Sequence, residues 1–142
     1  MTELDQELID AATGVIDDRS DGFRHTVGAA VRDASGVIHT AVNVYHFTGG
    51  PCAELVVLGA ARAAGAGELE SIVAVGDGGR GVVPPCGRCR QVMADLHPTI
   101  RVILPTGDGS LSAVVARDLL PFGYVAGPET AKERRGRVAD PE

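Results

Sequence analysis

Three cysteines and a glutamate carry most of the chemistry that this chain can offer. Cys52 and Glu54 lie in the run Pro51-Cys52-Ala53-Glu54, and Cys86 and Cys89 in Pro85-Cys86-Gly87-Arg88-Cys89. These are the only cysteines, and an odd number cannot all pair as intramolecular disulfides. The C-x-x-C step sets two thiols where one tetrahedral metal ion takes both. Three protein ligands leave the fourth position of a zinc ion open to water, the layout of a catalytic rather than a structural site. Glu54, two residues beyond the first thiol, falls within reach of that position, where a carboxylate takes a proton from water and passes it to a leaving group. Two plainer readings stand beside this one: buried apolar thiols with no metal, or a structural zinc completed by His25, His39, His46 or His97. Neither uses Glu54, and neither accounts for the proline before Cys52 and before Cys86.

The elements that must position these residues follow from the apolar spacing. Leu4, Leu8, Ile9, Ala12, Val15 and Ile16 repeat at helical intervals over residues 3–18. His25–Val31 and Gly36–Val44 read as strands, joined by the turn residues Asp33-Ala34-Ser35-Gly36 as a hairpin. After a loop over 45–51, Cys52–Ala66 reads as a nearly all-apolar helix buried on most sides. Glu70–Gly76 is a buried strand, and 77–85 is a Gly/Pro loop without the spacing of a phosphate-binding fingerprint. Cys86–Leu96 is a second core helix, ended by His97-Pro98. Ile100–Leu104 is a strand and Leu111–Val115 an edge strand, with a turn at Arg117–Leu120. Strands alternating with helices predict one α/β layer structure.

Both cysteine loops therefore enter helices at their N-termini, where exposed N–H groups favour thiolates. Three thiolates and one Zn²⁺ still sum to a negative charge, so a nearby cation is expected, with Arg88 and Arg90 as candidates. The remaining composition bounds the setting. The chain has 142 residues, 44% apolar but only 4% aromatic, and a net charge of −6, which suits one domain with an aliphatic core. No basic run points to a nucleic-acid polymer, and no apolar stretch points to a membrane. Unpaired cysteines beside a metal predict a reducing cytoplasm. Past Gly127 the chain is charged and aperiodic, so the domain is expected over 1–127 with a tail over 128–142 that is disordered or docked on a neighbouring subunit.

With P-C-A-E followed by P-C-x-x-C, the chain resembles the zinc-dependent cytidine deaminase superfamily, in its small homotetrameric, all-cysteine form. Asn43–Gly59, Pro85–Val92, Asp95–Pro98, Leu119–Pro121 and Gly123–Val125 carry the resemblance, which spans residues 24 to 125. It implies a three-layer α-β-α fold with a mixed five-stranded sheet, and hydrolytic conversion of a cytosine nucleoside to its uracil form with release of ammonia. One zinc per subunit would sit on Cys52, Cys86 and Cys89, with Glu54 as proton shuttle and Arg88 and Arg90 beside the thiolates. Thr26, Asn43, Tyr45, Ala53, Arg80 and Tyr124 would line the nucleoside pocket. Two positions depart from the ordinary family pattern: Tyr45 replaces a glutamate that holds a ribose hydroxyl, and Leu55 replaces an arginine that neutralises thiolate. Both suit a blasticidin S-like antibiotic, whose sugar bears a carboxylate that Arg80 can pair with. Ala126 stands where that variant pattern has tryptophan, and Phe122 where it has a small residue. Ordinary cytidine or deoxycytidine salvage, a broader heterocycle deaminase and a non-catalytic zinc-stabilised module are the alternatives.

Overall fold

The computed structural model describes residues 1–125; Ala126 and the expected charged tail lie outside the described residues. Helix α1 spans Glu3–Arg19 and begins at Thr2, whose side chain accepts from the Asp5 N–H while the Asp5 carboxylate accepts from the Thr2 N–H. This reciprocal capping satisfies two N–H groups that a helix start leaves unpaired. Strands β1 (Val27–Asp33) and β2 (Ile38–Val42) form the expected hairpin, with Asp33 accepting from the N–H groups of Ser35 and Val37. After α2 (Ala53–Ala63) comes β3 (Leu69–Gly76), antiparallel to β1 on one side and parallel to β5 (Arg101–Pro105) on the other. The crossover between the parallel strands contains α3 (Gly87–Leu96), and β6 (Leu111–Val115) closes the far edge antiparallel to β5. A 3-10 turn, Ala116–Leu119, follows.

The mixed sheet runs β2-β1-β3-β5-β6, the five-stranded core that was expected, with a short sixth strand beside it. That strand, β4 (Gly81–Val83), pairs antiparallel with the end of β3, inside the stretch read from sequence as loop. Gly78, Gly79 and Gly81 adopt positive φ and reverse the chain tightly enough to form a hairpin. Three residues are too few to show a strand's alternation.

Successive side chains of the central strands feed opposite cores. Ala30, Val73, Val75 and Ile103 meet Leu8, Ile9, Ala12 and Ile16 of α1. On the other face Ala29, Val31, Ile72, Ala74 and Val102 meet Val57, Leu58 and Ala61 of α2 and Met93 of α3. The result is the three-layer α-β-α arrangement. Gly28 permits the close approach of α1: a Cβ there would lie 2.7 Å from the Ala12 carbonyl oxygen. Helix α2 is shorter and less enclosed than its composition suggested. Gly65 at φ 92° ends it, with Ala66 N–H bonded to the Ala61 carbonyl and Gly65 N–H to that of Arg62, the Schellman pattern. Only Ala53, Glu54, Val57, Leu58 and Ala61 are buried, while Gly59, Ala60 and Ala63 face outward from the single chain. Among the described residues no helix is long and apolar enough to cross a membrane.

Asp5 joins the layers. Besides capping α1, its carboxylate takes both terminal nitrogens of Arg101 on β5, at 3.0 and 3.1 Å, and is 1% exposed. Arg101 holds the Asp5 carboxyl below its ordinary range against the opposing effect of burial, with Thr2 assisting. Because the folded pKa lies below the unfolded value, this stabilisation is complete above about pH 4 and is lost as pH falls through the folded pKa. Asp5→Asn is therefore expected to lower stability by about 2 kcal/mol at pH 7, less than a fully buried pair because Arg101 is half exposed. Urea unfolding of both chains at pH 7 and pH 3 checks this; a gap that fails to shrink at the lower pH contradicts it.

Candidate metal centre and active site

The two helix starts bring the thiols together. Cys52 is the N-cap of α2, Cys86 the N-cap of α3, and Cys89 lies in the first turn of α3. The Cys52 and Cys86 sulfurs are 3.4 Å apart, those of Cys86 and Cys89 3.6 Å, and all three lie within 4.8 Å of one another. A tetrahedral zinc with bonds of about 2.3 Å sets its sulfurs roughly 3.8 Å apart, so the donor set fits that ion. Among the described residues, no histidine joins this group. His25 meets the Asn43 carbonyl, His39 the Asp33 carboxylate and His46 the Thr48 hydroxyl, while His97 lines a groove between α2 and α3.

The three thiols differ in their surroundings. Burial pushes the Cys89 thiol up, and the neighbouring Glu54, Cys52 and Cys86 push it further. Cys86 moves the other way: burial resists, but the N–H groups of Cys89 and Arg88 and the flanking thiols outweigh it. Thiolates this close require a cation between them. Glu54 is buried in the first turn of α2, 6% exposed, and burial raises its carboxyl above the ordinary range. A carboxyl shifted toward neutral pH is suited to accepting and donating protons.

The two arginines differ. Arg88 Nη2 donates to the Gly50 carbonyl at 2.7 Å and lies 3.9 Å from the Cys52 sulfur, and Cys52 raises the arginine's pKa. Its Nη1 donates to the Gly49 carbonyl at 3.4 Å. Arg90 instead bonds two carbonyls, Pro85 at 2.8 Å and Leu119 at 3.4 Å. Of the pair, Arg88 is the one beside sulfur. The loop that Arg88 grips turns on Gly50, where a Cβ would lie 1.9 Å from the Val44 carbonyl oxygen.

The expected pocket residues form one connected group, Thr26, Asn43 and Arg80, and three separate members. Asn43 Oδ1 accepts from the N–H groups of Thr26 and Val27 at 2.7 and 3.0 Å. Arg80 Nη2 donates to the Thr26 carbonyl at 2.7 Å and to Asp77 at 3.0 Å. Asp77 also accepts from Ser20 at the end of α1. Tyr45 donates its N–H to the Arg24 carbonyl, and its ring pairs with Phe23 at 6.1 Å. Ala53 is buried in the first turn of α2, whereas Tyr124 is exposed with its carbonyl on Gln91. Among the described residues no hydrogen bond ties Tyr124 to Thr26, Asn43 or Arg80. Sequence reading missed Phe23, Asp77 and the close approach at Gly50. The Asp21-Gly22 pair was the available signal for Phe23: Asp21 Oδ1 collects the N–H groups of Phe23, Arg24 and His25 and bends the chain beneath that ring.

Comparison with known proteins places this geometry in context. Residues 2–104 match the family model described as the cytidine and deoxycytidylate deaminase zinc-binding region. The chain is 32% identical over 133 residues to a blasticidin-S deaminase from Bacillus cereus, covering 87% of this chain and 94% of that protein. It is 36% identical over 106 residues to a cytidine deaminase from Halalkalibacterium halodurans, covering 72% and 80%. Its structure is similar to that of a cytidine deaminase from Burkholderia pseudomallei, with a TM-score of 0.69 and 34% identity over 87% of this chain and all of that one.

Gly50→Ala tests the loop. The added methyl has no room against the Val44 carbonyl, so the loop must open and release Arg88 from the Gly50 carbonyl. The expected loss is about 2 kcal/mol of stability, as for overpacking in general, together with a lowered zinc content. Thermal unfolding and metal analysis of purified protein read both, and wild-type values in both would contradict the assignment.

Proposed function

The chain belongs to the cytidine and deoxycytidylate deaminase family, and on that premise we propose that it hydrolytically deaminates a free cytosine nucleoside, blasticidin S before cytidine. The observation that carries the reaction is the burial of Glu54 against the cluster of three thiols, two residues beyond Cys52 in the same helix start. Cys52, Cys86 and Cys89 would hold the zinc, which would supply a water nucleophile at neutral pH. Glu54 would move one proton of the attacking water to N3 of the ring and the other to the exocyclic amino group as that group leaves C4. Water and the cytosine ring thereby become uracil and ammonia. The N–H of Ala53, one of the unpaired donors of the first turn of α2, orients the base. Arg88 offsets the charge of the thiolates.

Substrate choice rests on the group around Asn43. Tyr45 supplies no carboxylate for a ribose hydroxyl, and its ring extends an apolar wall with Phe23. Arg80 keeps Nη1 free of hydrogen bonds among the described residues and is half exposed, so it can accept a sugar carboxylate while Nη2 stays on Thr26. Cytidine is the second reading, favoured by the cytidine deaminases among the similar proteins. We also propose a homotetramer: the outward Gly59, Ala60 and Ala63 lie on α2, which with α3 borders an apolar groove of about 600 Å³ lined by Leu55, Leu58, Val92 and Leu96. Sedimentation as a monomer at micromolar concentration rejects that assembly.

Two variants test the reading. Glu54→Gln should retain zinc and fold but lose about 10³-fold or more in kcat, in line with loss of a general acid-base group that also orients water. Arg80→Met should raise KM for blasticidin S by roughly 10- to 100-fold, the worth of a charged hydrogen bond, and change that for cytidine little. Ultraviolet assays on both nucleosides measure this. Turnover of cytidine with none of blasticidin S rejects the substrate assignment and leaves the deaminase.

A further inference from the structure

The turn after the 3-10 segment is strained, and α3 holds both of its ends. Gly123 N–H bonds the Leu120 carbonyl at 3.1 Å, closing Leu120-Pro121-Phe122-Gly123. Proline at the second position suits such a turn, but the third position, at positive φ, is ordinarily glycine's. Here it is Phe122 at φ 55°, the one non-glycine residue with positive φ among those described. Its side chain is fully exposed, so its own packing does not hold it there. The following glycine is fixed by space, since a Cβ on Gly123 would lie 2.4 Å from Leu120 Cγ. A bulky residue persists in this conformation only where its surroundings impose it.

The surroundings are Arg90 and Gln91, which directly follow Cys89. Arg90 holds the Leu119 carbonyl at 3.4 Å while its Nε holds the Pro85 carbonyl at 2.8 Å, just before Cys86. Gln91 Nε2 donates to the Tyr124 carbonyl at 3.0 Å and to Asp95 at 3.1 Å. One turn of helix thus carries a thiol of the metal cluster and grips the chain on both sides of Phe122.

We propose that Gln91, with Arg90, is a positioning residue that fixes the Leu119–Tyr124 turn relative to the metal centre and thereby sets substrate affinity without touching substrate. This rests on the deaminase reading above and on Tyr124 as the pocket wall that the family resemblance implies, which the structure ties to α3 through Gln91. The bond to Tyr124 is the working contact, and the bond to Asp95 only steadies the helix surface.

Gln91→Met removes the donor and preserves bulk; Asp95→Ala removes the other partner as a control; Gln91→Lys restores a donor. Gln91→Met should keep one zinc per chain and a kcat within about two-fold, raise KM for the faster of cytidine and blasticidin S by roughly five-fold, and speed amide exchange over residues 120–125. Asp95→Ala should match wild type, and Gln91→Lys should recover part of the KM. Faster exchange with unchanged KM overturns the proposal as a merely structural bond, and unchanged exchange overturns the clamp itself. A wild-type protein that turns over neither nucleoside refutes the deaminase reading, and the exchange rates then decide the clamp alone.

Discussion

Repulsion among like charges at short range is the constraint on which the site depends. Three sulfurs within 4.8 Å and a buried carboxylate beside them make an arrangement that no chain adopts without compensation. The compensation comes from several sources at once. Cys52 and Cys86 begin helices, and the N–H groups of Arg88 and Cys89 in the first turn of α3 favour the Cys86 thiolate. Arg88 reaches from α3 to the Cys52 side, where its carbonyl partners Gly49 and Gly50 keep it in place. The divalent cation completes the balance, and its binding energy becomes part of the folding energy of this end of the molecule.

That balance explains why the scaffold is built as it is. Two helix N-termini must meet within a few ångströms while the helices pack on the same face of one sheet. Val57, Leu58 and Ala61 seat α2, and Met93 seats α3, over Ile72, Ala74 and Val102. Helix α1 occupies the opposite face, takes no part in the thiol cluster, and is bound to β5 through Asp5 and Arg101. The loop before Cys52 has no such apolar anchorage. It is set instead by backbone contact at Gly50, by the Val44 N–H on the Pro51 carbonyl, and by Arg88.

What could be read from the sequence divides along the same line. Elements with a full apolar period, α1, β1, β3 and α3, were legible, because burial on a defined face writes that period into the chain. The meeting of three thiols beside Glu54 was legible because metal chemistry requires particular residue types at particular spacing. Strand β4 was not, since three residues between glycines and prolines carry no period. The outer face of α2 was not legible as exposed, because small apolar residues all round the helix carry no period that marks the side facing away from the sheet. The Asp77–Arg80–Thr26 network joins residues 54 apart through carbonyl oxygens, which have no sequence signature.

The same network bears on selectivity. Arg80 does not present an isolated positive charge to the solvent; Asp77 lies 3.0 Å away, itself held ionised by the Ser20 hydroxyl and then by Arg80. A ligand carboxylate therefore meets a nearly neutral pair, and long-range attraction toward this spot is small. Any preference for a carboxylate-bearing sugar must come from short-range geometry, through the Nη1 hydrogens left over once Nη2 is committed to Thr26 and Asp77. Thr26 in turn is fixed by Asn43, whose own carbonyl binds His25. The position of one guanidinium edge is thus inherited from the β1–β2 end of the sheet. Under the proposed reading, discrimination between sugars at Arg80 would for that reason be a property of backbone placement more than of net charge.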